Sequence, residues 1–138
     1  MDKKYPLVSI IIRTKDRPQL VKRALSSVAA QRYRDLEVII VNDGGCDLDI
    51  DEMKGILGDI PIQYVRLADN RGRAHAANTG ITHANGHYIG FLDDDDLFYP
   101  KHIETLLHMC EHTGVKIAYS SVQSVYYNSI DSENAQFV

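Results

Sequence analysis

The chain has 138 residues, of which 44% are hydrophobic and 25% are charged, and it carries a formal net charge of −4. That length is typical of one domain that can bury a core of its own. The acidic balance, with a pI near 5.8, argues against a nucleic-acid partner, which normally requires a basic surface. No apolar run approaches the ~20 residues that span a bilayer.

The two cysteines, Cys46 and Cys110, show neither metal-ligand spacing nor a secretory context. The first residues lead straight into an apolar run that is too short for a signal peptide. Both observations favour a reducing, cytoplasmic location, with the inner face of the membrane as an alternative. The sequence leaves the oligomeric state open.

Apolar runs rich in β-branched residues alternate with amphipathic segments, a pattern that predicts an α/β domain with a mostly parallel sheet. In the first half, the predicted elements are a strand at 7–12, a helix opened by Pro18, a strand at 36–41, a helix at 51–57 and a strand at 62–67. In the second half, they are a helix at 74–84, a strand at 88–92, a helix opened by Pro100, and strands at 115–119 and 122–127. We therefore predict one domain over residues 1–127 and a tail without clear structure at 128–138.

Three polar clusters follow predicted strands at the points where those strands end. They occupy residues 13–16, 42–43 and 93–96. In an open α/β sheet, ligands bind beyond the carboxyl ends of the strands, so the fold is expected to gather these clusters at one edge. Asp16, in the first cluster, is also a predicted N-cap of the first helix.

Four consecutive aspartates, Asp93 to Asp96, follow the strand at 88–92. Like charges this close raise one another's pKa unless a cation offsets them. Mg²⁺ and Mn²⁺ prefer hard oxygen ligands, and such ions usually combine one or two carboxylates with phosphate oxygens. Because alternate residues of an extended segment point the same way, Asp93 and Asp95 are predicted to face one metal ion together. The alternative is a solvated acidic turn that precedes the helix at Pro100.

Asp43, Arg71 and Arg73 are further candidates. Asp43 follows a predicted strand and precedes two glycines, a position from which an acid often holds a ribose hydroxyl in nucleotide-binding folds. The alternative is a turn aspartate that bonds to its own backbone. Arg71 and Arg73 flank a glycine before a predicted helix, where they could meet a diphosphate. The alternative for each is an exposed surface arginine.

Three segments together resemble the family 2 glycosyltransferases, whose fold is called GT-A. They are VSIIIRTKDRPQLVKRALSSVAAQRYRDLEVIIVNDGG at 8–45, DNRGRAHAANTGI at 69–81 and GHYIGFLDDDDLFYP at 86–100. The resemblance implies a Rossmann-like α/β domain with three layers in the order α/β/α. It also implies a metal-dependent, inverting transfer that uses Mn²⁺ or Mg²⁺. The donor would be a nucleotide-diphospho-sugar, with a weak preference for a UDP-sugar, and the acceptor a glycan, a lipid-linked glycan or a protein.

The resemblance also implies roles for individual residues. Thr14 and Asp43 match positions that contact the base and the ribose, and Asp95 matches the principal metal ligand. Asp93 and Asp94 fall where the acidic motif of the family meets the ribose and the metal. The segment that faces the nucleotide contains Asp69, Asn70, Arg71, Gly72, Arg73 and Asn78. The predicted donor site is Thr14, Asp16, Asp43, Arg71, Arg73, Asn78, Asp93 and Asp94, with Asp95 and Asp93 on the metal.

The sequence departs from the family pattern in two residues and in its extent. Arg13 stands where a proline is usual, and Ala77 replaces an arginine that often precedes Asn78. Family members continue into an acceptor-binding half that supplies an aspartate or glutamate as the general base. No residue after position 100 has the motif context for that role. We therefore expect a piece of a longer enzyme, which binds the donor but has little or no transfer activity alone.

Two other functions fit parts of the pattern. A nucleotidylyltransferase has a similar sheet and also uses metal carboxylates. That class usually carries a glycine-rich loop after the first strand, where this chain has RTKDRP. A non-catalytic module that binds a nucleotide or a divalent cation is the second alternative.

Overall fold

A computed structural model of the chain describes residues 5–124. Its elements, in chain order, are β1 (Val8–Thr14), α1 (Pro18–Ala29), β2 (Leu36–Asn42), α2 (Ile50–Leu57), β3 (Ile62–Arg66), α3 (Arg73–His83), β4 (Tyr88–Asp93) and α4 (His102–Thr113). Each was expected from the sequence, with ends that differ by no more than two residues. Within residues 5–124, no helix has the length and apolar character that a bilayer span requires.

The sheet is parallel throughout these four strands, in the order β3-β2-β1-β4. β1 lies between β2 and β4. The register pairs Thr14 with Asn42 on one side of β1 and Arg13 with Asp93 on the other. The carboxyl ends of β1, β2 and β4 therefore lie side by side, as the positions of the polar clusters predict.

Helices cover both faces of the sheet and form the expected three layers. On one face, α1, α2 and α4 pack against the strands through a large apolar cluster, with Ile10, Ile12, Leu25, Met53 and Leu107 among its members. On the other face, α3 packs on β1 and β2 through a smaller cluster of Ile11, Ile39, Val41 and Ala76. Because β1 and β2 are covered on both faces, their sequences are continuous apolar runs.

α3 lies close to the sheet because its contact residues are small. Ala76 and Gly80 are buried on the sheet side of the helix. A Cβ atom at Gly80 would overlap the side chain of Ile11, which is itself fully buried. This contact fixes the distance of α3 from β1, and with it the position of Arg73 at the start of the helix.

A buried carboxylate, Glu37, ties the loop before β4 to the strands. The Ser9 hydroxyl donates a hydrogen bond to it at 2.6 Å, and Asn85 donates through its backbone N–H at 2.6 Å and its side-chain amide at 3.2 Å. Burial alone raises the pKa of Glu37. The hydrogen bonds to its charged form outweigh burial, so the pKa lies below its ordinary value. The ionised form is therefore part of the folded structure.

The predicted strand at 115–119 is wrong. These residues are irregular, with Ile117 and Tyr119 highly exposed. An alternating pattern yields a strand only when a neighbouring backbone supplies hydrogen bonds, and no element in residues 5–124 pairs with this segment. The strand predicted at 122–127 is irregular over 122–124, and its remainder, like the tail at 128–138, lies outside the described residues.

Asp16 does not cap α1, contrary to the prediction from the sequence. The N-cap is Arg17, which makes no side-chain capping bond. Asp16 has φ = 55°, in the left-handed region. That backbone turn directs its carboxylate to the loop after β2, where it accepts the backbone N–H of Cys46 at 2.8 Å.

We expect Gly80→Ala to destabilise the chain, although alanine is the better helix former by about 1 kcal/mol. The new Cβ has to displace the buried Ile11 side chain, and overpacking of this kind lowers the free energy of unfolding by about 1–3 kcal/mol. Urea denaturation measures the change. Gly55→Ala in α2 is the matched control, because nothing lies within 4 Å of a Cβ there. It should stabilise by about 0.5–1 kcal/mol. Equal stabilisation by both substitutions would contradict the close packing of α3.

We expect Glu37→Gln to lower the free energy of unfolding by about 1–3 kcal/mol at pH 7, because the new amide cannot accept every hydrogen bond that the carboxylate accepts. The folded-state pKa of Glu37 is below its ordinary value of 4.5. The carboxylate therefore contributes stability above that value and loses it as the pH falls through the folded-state pKa.

Urea titrations from pH 7 to pH 3 should accordingly show the difference between wild type and Glu37→Gln narrowing below about pH 4.5. The control is Glu104→Gln at an exposed position of α4, which should change stability by no more than about 0.5 kcal/mol. A Glu37→Gln difference that stays constant over this pH range would argue against an ionised Glu37 in the fold.

Candidate functional site

A cleft of about 230 Å³ lies at the carboxyl edge of the sheet, beyond the ends of β1, β2 and β4. It is lined by Thr14, Ala76, four cations and four acids, namely Arg13, Lys15, Arg17, Arg73, Asp43, Asp93, Asp94 and Asp95. A wider depression of about 400 Å³ at the opposite edge is lined by Tyr5, Pro6, Leu7, Asn85, His87 and Glu111. The first cleft concentrates charged groups of both signs, so it is the candidate functional site.

Asp94 is the buried member of the acidic cluster. Its carboxylate accepts the Thr14 hydroxyl at 2.8 Å and a hydrogen bond from Arg17 Nη1 at 3.2 Å. The same Arg17 nitrogen lies 3.2 Å from Asp95 Oδ2. Asp94 is therefore a structural acid that joins the end of β4 to the end of β1.

Asp93 is paired with Arg13 across the sheet. These residues are register partners on β4 and β1, and the guanidinium Nη2 contacts Asp93 Oδ1 in a salt bridge. Arg13 also donates through Nη1 to the backbone carbonyl of Arg73 at 3.3 Å. Arg13 thus connects the last residue of β4 to the first residue of α3.

The four aspartates form a tight turn and not a continued strand. β4 ends at Asp93, and the backbone N–H of Asp96 donates to the Asp93 carbonyl at 3.0 Å. Asp93 and Asp95 therefore do not belong to one extended segment, contrary to the prediction from the sequence. The turn brings carboxylate oxygens of Asp93, Asp95 and Asp96 within 4.8 Å of one another, and it adds Asp96, which the prediction from sequence leaves out.

This acidic turn is electrostatically poised for a cation. Partial loss of solvent raises the pKa of Asp96, although the residue is exposed, and the carboxylates of Asp95, Asp93 and Asp94 raise it further. A positive charge placed among these groups would favour their ionised forms. Three exposed carboxylates at this spacing could hold a divalent cation through hard oxygen ligands.

The segment that follows the acidic turn is anchored to α1 and to Gln31, which lies just after that helix. Gln31 is almost fully buried; its side-chain amide donates to the Tyr99 carbonyl at 2.8 Å and its side-chain oxygen accepts the Ile103 N–H at 3.1 Å. The Ser27 hydroxyl accepts the Phe98 N–H at 3.1 Å. The turn is consequently fixed by β4 on one side and by α1 on the other.

Asp43, at the end of β2, holds the loop before α3. Its two carboxylate oxygens accept the backbone N–H groups of Arg71 at 2.7 Å and Gly72 at 3.0 Å. Its own backbone N–H donates to the Thr14 carbonyl at 2.9 Å. Asp43 therefore links the ends of β1 and β2 to the start of α3.

The loop after β2 packs backbone against backbone on its neighbours. Gly44 has φ = 75°, and a Cβ there would overlap the backbone of Asp69 and Asn70. A Cβ at Gly45 would lie 2.7 Å from the backbone nitrogen of Asp16. The loops that follow β1, β2 and β3 are thus in direct contact at the edge that carries the cleft.

The structure brings most of the predicted site residues together. Those that line the cleft are Thr14, Asp43, Arg73, Asp93, Asp94 and Asp95. Three others lie outside its lining. The Asp16 carboxylate accepts a hydrogen bond from the backbone N–H of Cys46. Arg71 is exposed and contacts Asp43 through its backbone N–H, and Asn78 is exposed on α3.

The predicted donor site leaves out three of the four cations that line the cleft. Arg13, Lys15 and Arg17 all line it, although the sequence gives them the same features as surface residues. One signal was available for Arg13. It precedes Thr14 at the end of a strand predicted to be buried, where an arginine needs a partner for its charge.

The sequence matches the family model for glycosyl transferase family 2 over residues 9–137. An uncharacterized glycosyltransferase of Rickettsia felis is 39% identical over 119 residues, which are 86% of this chain and 19% of that protein. A chondroitin synthase of Pasteurella multocida is 36% identical over 104 residues, which are 75% of this chain and 11% of that protein. The chain therefore spans less than a fifth of the length of either relative.

Solved structures of glycosyltransferases share the fold. A mannosyltransferase from Pyrobaculum calidifontis in complex with GDP-Man and Mn²⁺ matches with a TM-score of 0.70 and 25% identity, over 78% of this chain and 33% of that one. TarS from S. aureus in complex with UDP-GlcNAc matches with a TM-score of 0.70 and 20% identity, over 77% of this chain and 31% of that one. The likeness to TarS concerns the fold alone.

We expect Thr14→Val to lower the free energy of unfolding by about 1–3 kcal/mol. Valine keeps the shape of threonine but has no hydroxyl, so the buried Asp94 carboxylate loses a hydrogen bond. Thr79→Val is the matched control; the Thr79 hydroxyl donates to the His75 carbonyl within α3, and its loss should cost no more than about 0.5 kcal/mol. Urea denaturation of both variants measures the difference. Equal costs would show that the bond between Thr14 and Asp94 contributes no specific stability.

Proposed function

The chain belongs to the family 2 glycosyltransferases, and from this membership we propose that its cleft binds a nucleotide-diphospho-sugar together with a divalent cation. The observation that supports this most directly is the acidic turn of Asp93, Asp95 and Asp96, of which Asp93 and Asp95 line a cleft that also presents arginines. A metal and a diphosphate need ligands of opposite sign at adjacent positions. The proposed reaction transfers the sugar, with inversion, to a glycan, a lipid-linked glycan or a protein.

We assign the metal site to Asp95, with Asp93 and Asp96 beside it. Their oxygens are close enough to share one ion, and Mn²⁺ or Mg²⁺ suits carboxylate ligands combined with phosphate oxygens. When bound, the ion supplies positive charge that stabilises the nucleoside diphosphate as a leaving group. Asp94 is excluded from direct coordination in this assignment, because its carboxylate is buried and accepts the Thr14 hydroxyl, and it does not belong to the group of oxygens that could share one ion.

The remaining cleft residues fit the parts of a nucleotide. Arg73 and Lys15 offer positive charge to the diphosphate, and Arg73 opens α3, whose amino terminus favours anions. Thr14 and Asp43 line the cleft at the ends of β1 and β2, and we place the nucleoside there. Asp43 binds two backbone N–H groups, so its first role is to hold the loop that shapes this end of the cleft.

The transfer itself needs a proton acceptor. The acceptor hydroxyl oxygen bonds to the anomeric carbon while the bond from that carbon to the diphosphate oxygen breaks, and a base takes the hydroxyl proton. Within residues 5–124, the acids lining the cleft contact backbone amides, arginines or the Thr14 hydroxyl. We therefore place the base in a longer protein and propose that this chain alone binds donor with little or no transfer.

The nucleobase and the sugar of the donor are proposed only as a class. The mannosyltransferase from Pyrobaculum calidifontis holds GDP-Man, and TarS holds UDP-GlcNAc. Uridine and guanosine diphosphates are therefore the two probes to test. A saccharide acceptor agrees with the relative named as a chondroitin synthase.

We expect calorimetric titration to show binding of UDP or GDP that depends on Mn²⁺. Asp95→Ala should abolish this metal-dependent binding, because it removes the main proposed metal ligand. Asp59→Ala is the matched control, because Asp59 is an exposed acid paired with Arg34 at 2.8 Å, outside the cleft lining. It should bind like the wild type.

The outcomes separate the candidate functions. Metal-dependent binding that survives in Asp95→Ala would overturn the metal assignment. Binding without transfer agrees with a donor-binding piece of a longer enzyme, whereas full transfer by residues 1–138 would contradict the placement of the base. If neither UDP nor GDP binds, the cleft is not the proposed donor site.

A further inference from the structure

We propose that Arg13 couples metal binding to nucleotide binding, because it competes with the divalent cation for Asp93 and is released to the diphosphate when the cation binds. This inference rests on the proposed function. Arg13 is assigned a positioning role, because it acts on the proposed metal site through its contact with Asp93.

The geometry places Arg13 between the metal ligands and α3. Its Nη2 contacts Asp93 Oδ1, and its Nη1 donates to the Arg73 carbonyl at 3.3 Å. The Arg13 side chain is 23% exposed, whereas that of Arg17 is 47% exposed. Solvent therefore screens the charge of Arg13 less than that of Arg17. The backbone of Arg13 belongs to β1, so the sheet fixes the position of this residue beside the cleft.

Two cations cannot use the Asp93 carboxylate equally well. One of its oxygens belongs to the set shared with Asp95 and Asp96, within 4.8 Å of both. An ion in that set would lie close to the guanidinium of Arg13, and like charges at such distances repel. The salt bridge with Arg13 also reduces the negative charge that Asp93 offers to a metal. Metal binding on its own is therefore opposed by Arg13.

A diphosphate removes this opposition. A guanidinium binds phosphate oxygens through two parallel hydrogen bonds, a geometry that matches Arg better than Lys. The carbonyl of Arg73 keeps the Arg13 side chain beside the start of α3, where the diphosphate is proposed to lie. Asp93 is then free for the metal. By thermodynamic linkage, nucleotide strengthens metal binding by the same factor as metal strengthens nucleotide binding.

The experiment measures Mn²⁺ affinity of the 138-residue chain by electron paramagnetic resonance, with and without whichever of UDP and GDP binds. Arg13→Ala should bind Mn²⁺ alone about two- to five-fold more tightly, the range expected for loss of a partly exposed ion pair. In the presence of Mn²⁺, it should bind the nucleotide about tenfold or more weakly, because a charge-assisted hydrogen-bond pair is lost. The coupling factor should fall towards one.

Arg34→Ala is the matched control. Arg34 is also an arginine in an ion pair, with Asp59 at 2.8 Å, but it precedes β2 at the opposite edge of the sheet. Its substitution removes the same net charge and should leave both affinities unchanged. Arg13→Lys is the second variant, because it keeps the charge without the fork of donors. It should retain the wild-type affinity for Mn²⁺ alone and lose about three-fold or more in nucleotide affinity.

The results distinguish a failure of the coupling role of Arg13 from a failure of the proposed function. If Arg13→Ala and Arg34→Ala show the same two affinities as the wild type, the coupling role of Arg13 is overturned while the donor site stands. Should Arg13→Ala fail to fold by circular dichroism, an unchanged nucleotide affinity in Arg13→Lys has the same meaning. A wild-type chain that binds neither Mn²⁺ nor nucleotide would overturn the proposed function and this inference with it.

Discussion

The register of β1 against its two neighbours sets the geometry of the whole carboxyl edge. It places Arg13 opposite Asp93 and Thr14 opposite Asn42. A shift of one residue would turn every side chain of the strand to the other face of the sheet. Such a shift is opposed by the core, because Ile10 and Ile12 are buried on one face and Ile11 on the other. The packing that stabilises the fold is therefore also what aligns the charged groups of the cleft.

A run of four aspartates is tolerated here because the structure gives its members different surroundings. Asp94 is buried and engaged by Thr14 and Arg17, and Asp93 is paired with Arg13. The pKa of Asp96 is raised, first by partial loss of solvent and then by repulsion from the other three carboxylates. Burying one carboxylate requires hydrogen-bond partners, and β1 supplies one of them directly. The rest of the turn faces solvent, so a cation can reach it without displacing the core.

The sequence predicts the part of this arrangement that periodicity encodes. Apolar runs identify the buried strands, and polar residues at their ends identify the edge that carries the cleft. Periodicity does not report which strand lies beside which, so the pairing of Arg13 with Asp93 was not foreseen. It also does not report turn geometry, which is why Asp96 was left out and Asp16 was assigned to a helix cap. The strand expected at 115–119 fails for a related reason, since a strand exists only with a partner and the pattern does not specify one.

The contact between the loops after β1, β2 and β3 has a consequence for how this protein can vary. Gly44 and Gly45 lie outside the lining of the cleft, yet a single added methyl group at either would push against neighbouring backbone. A side chain at either glycine would have to displace the backbone of a neighbouring loop. A survey of substitutions scored by ligand binding would therefore rank these two glycines beside the aspartates. Their sensitivity would arise from the absence of side chains and not from contact with a ligand.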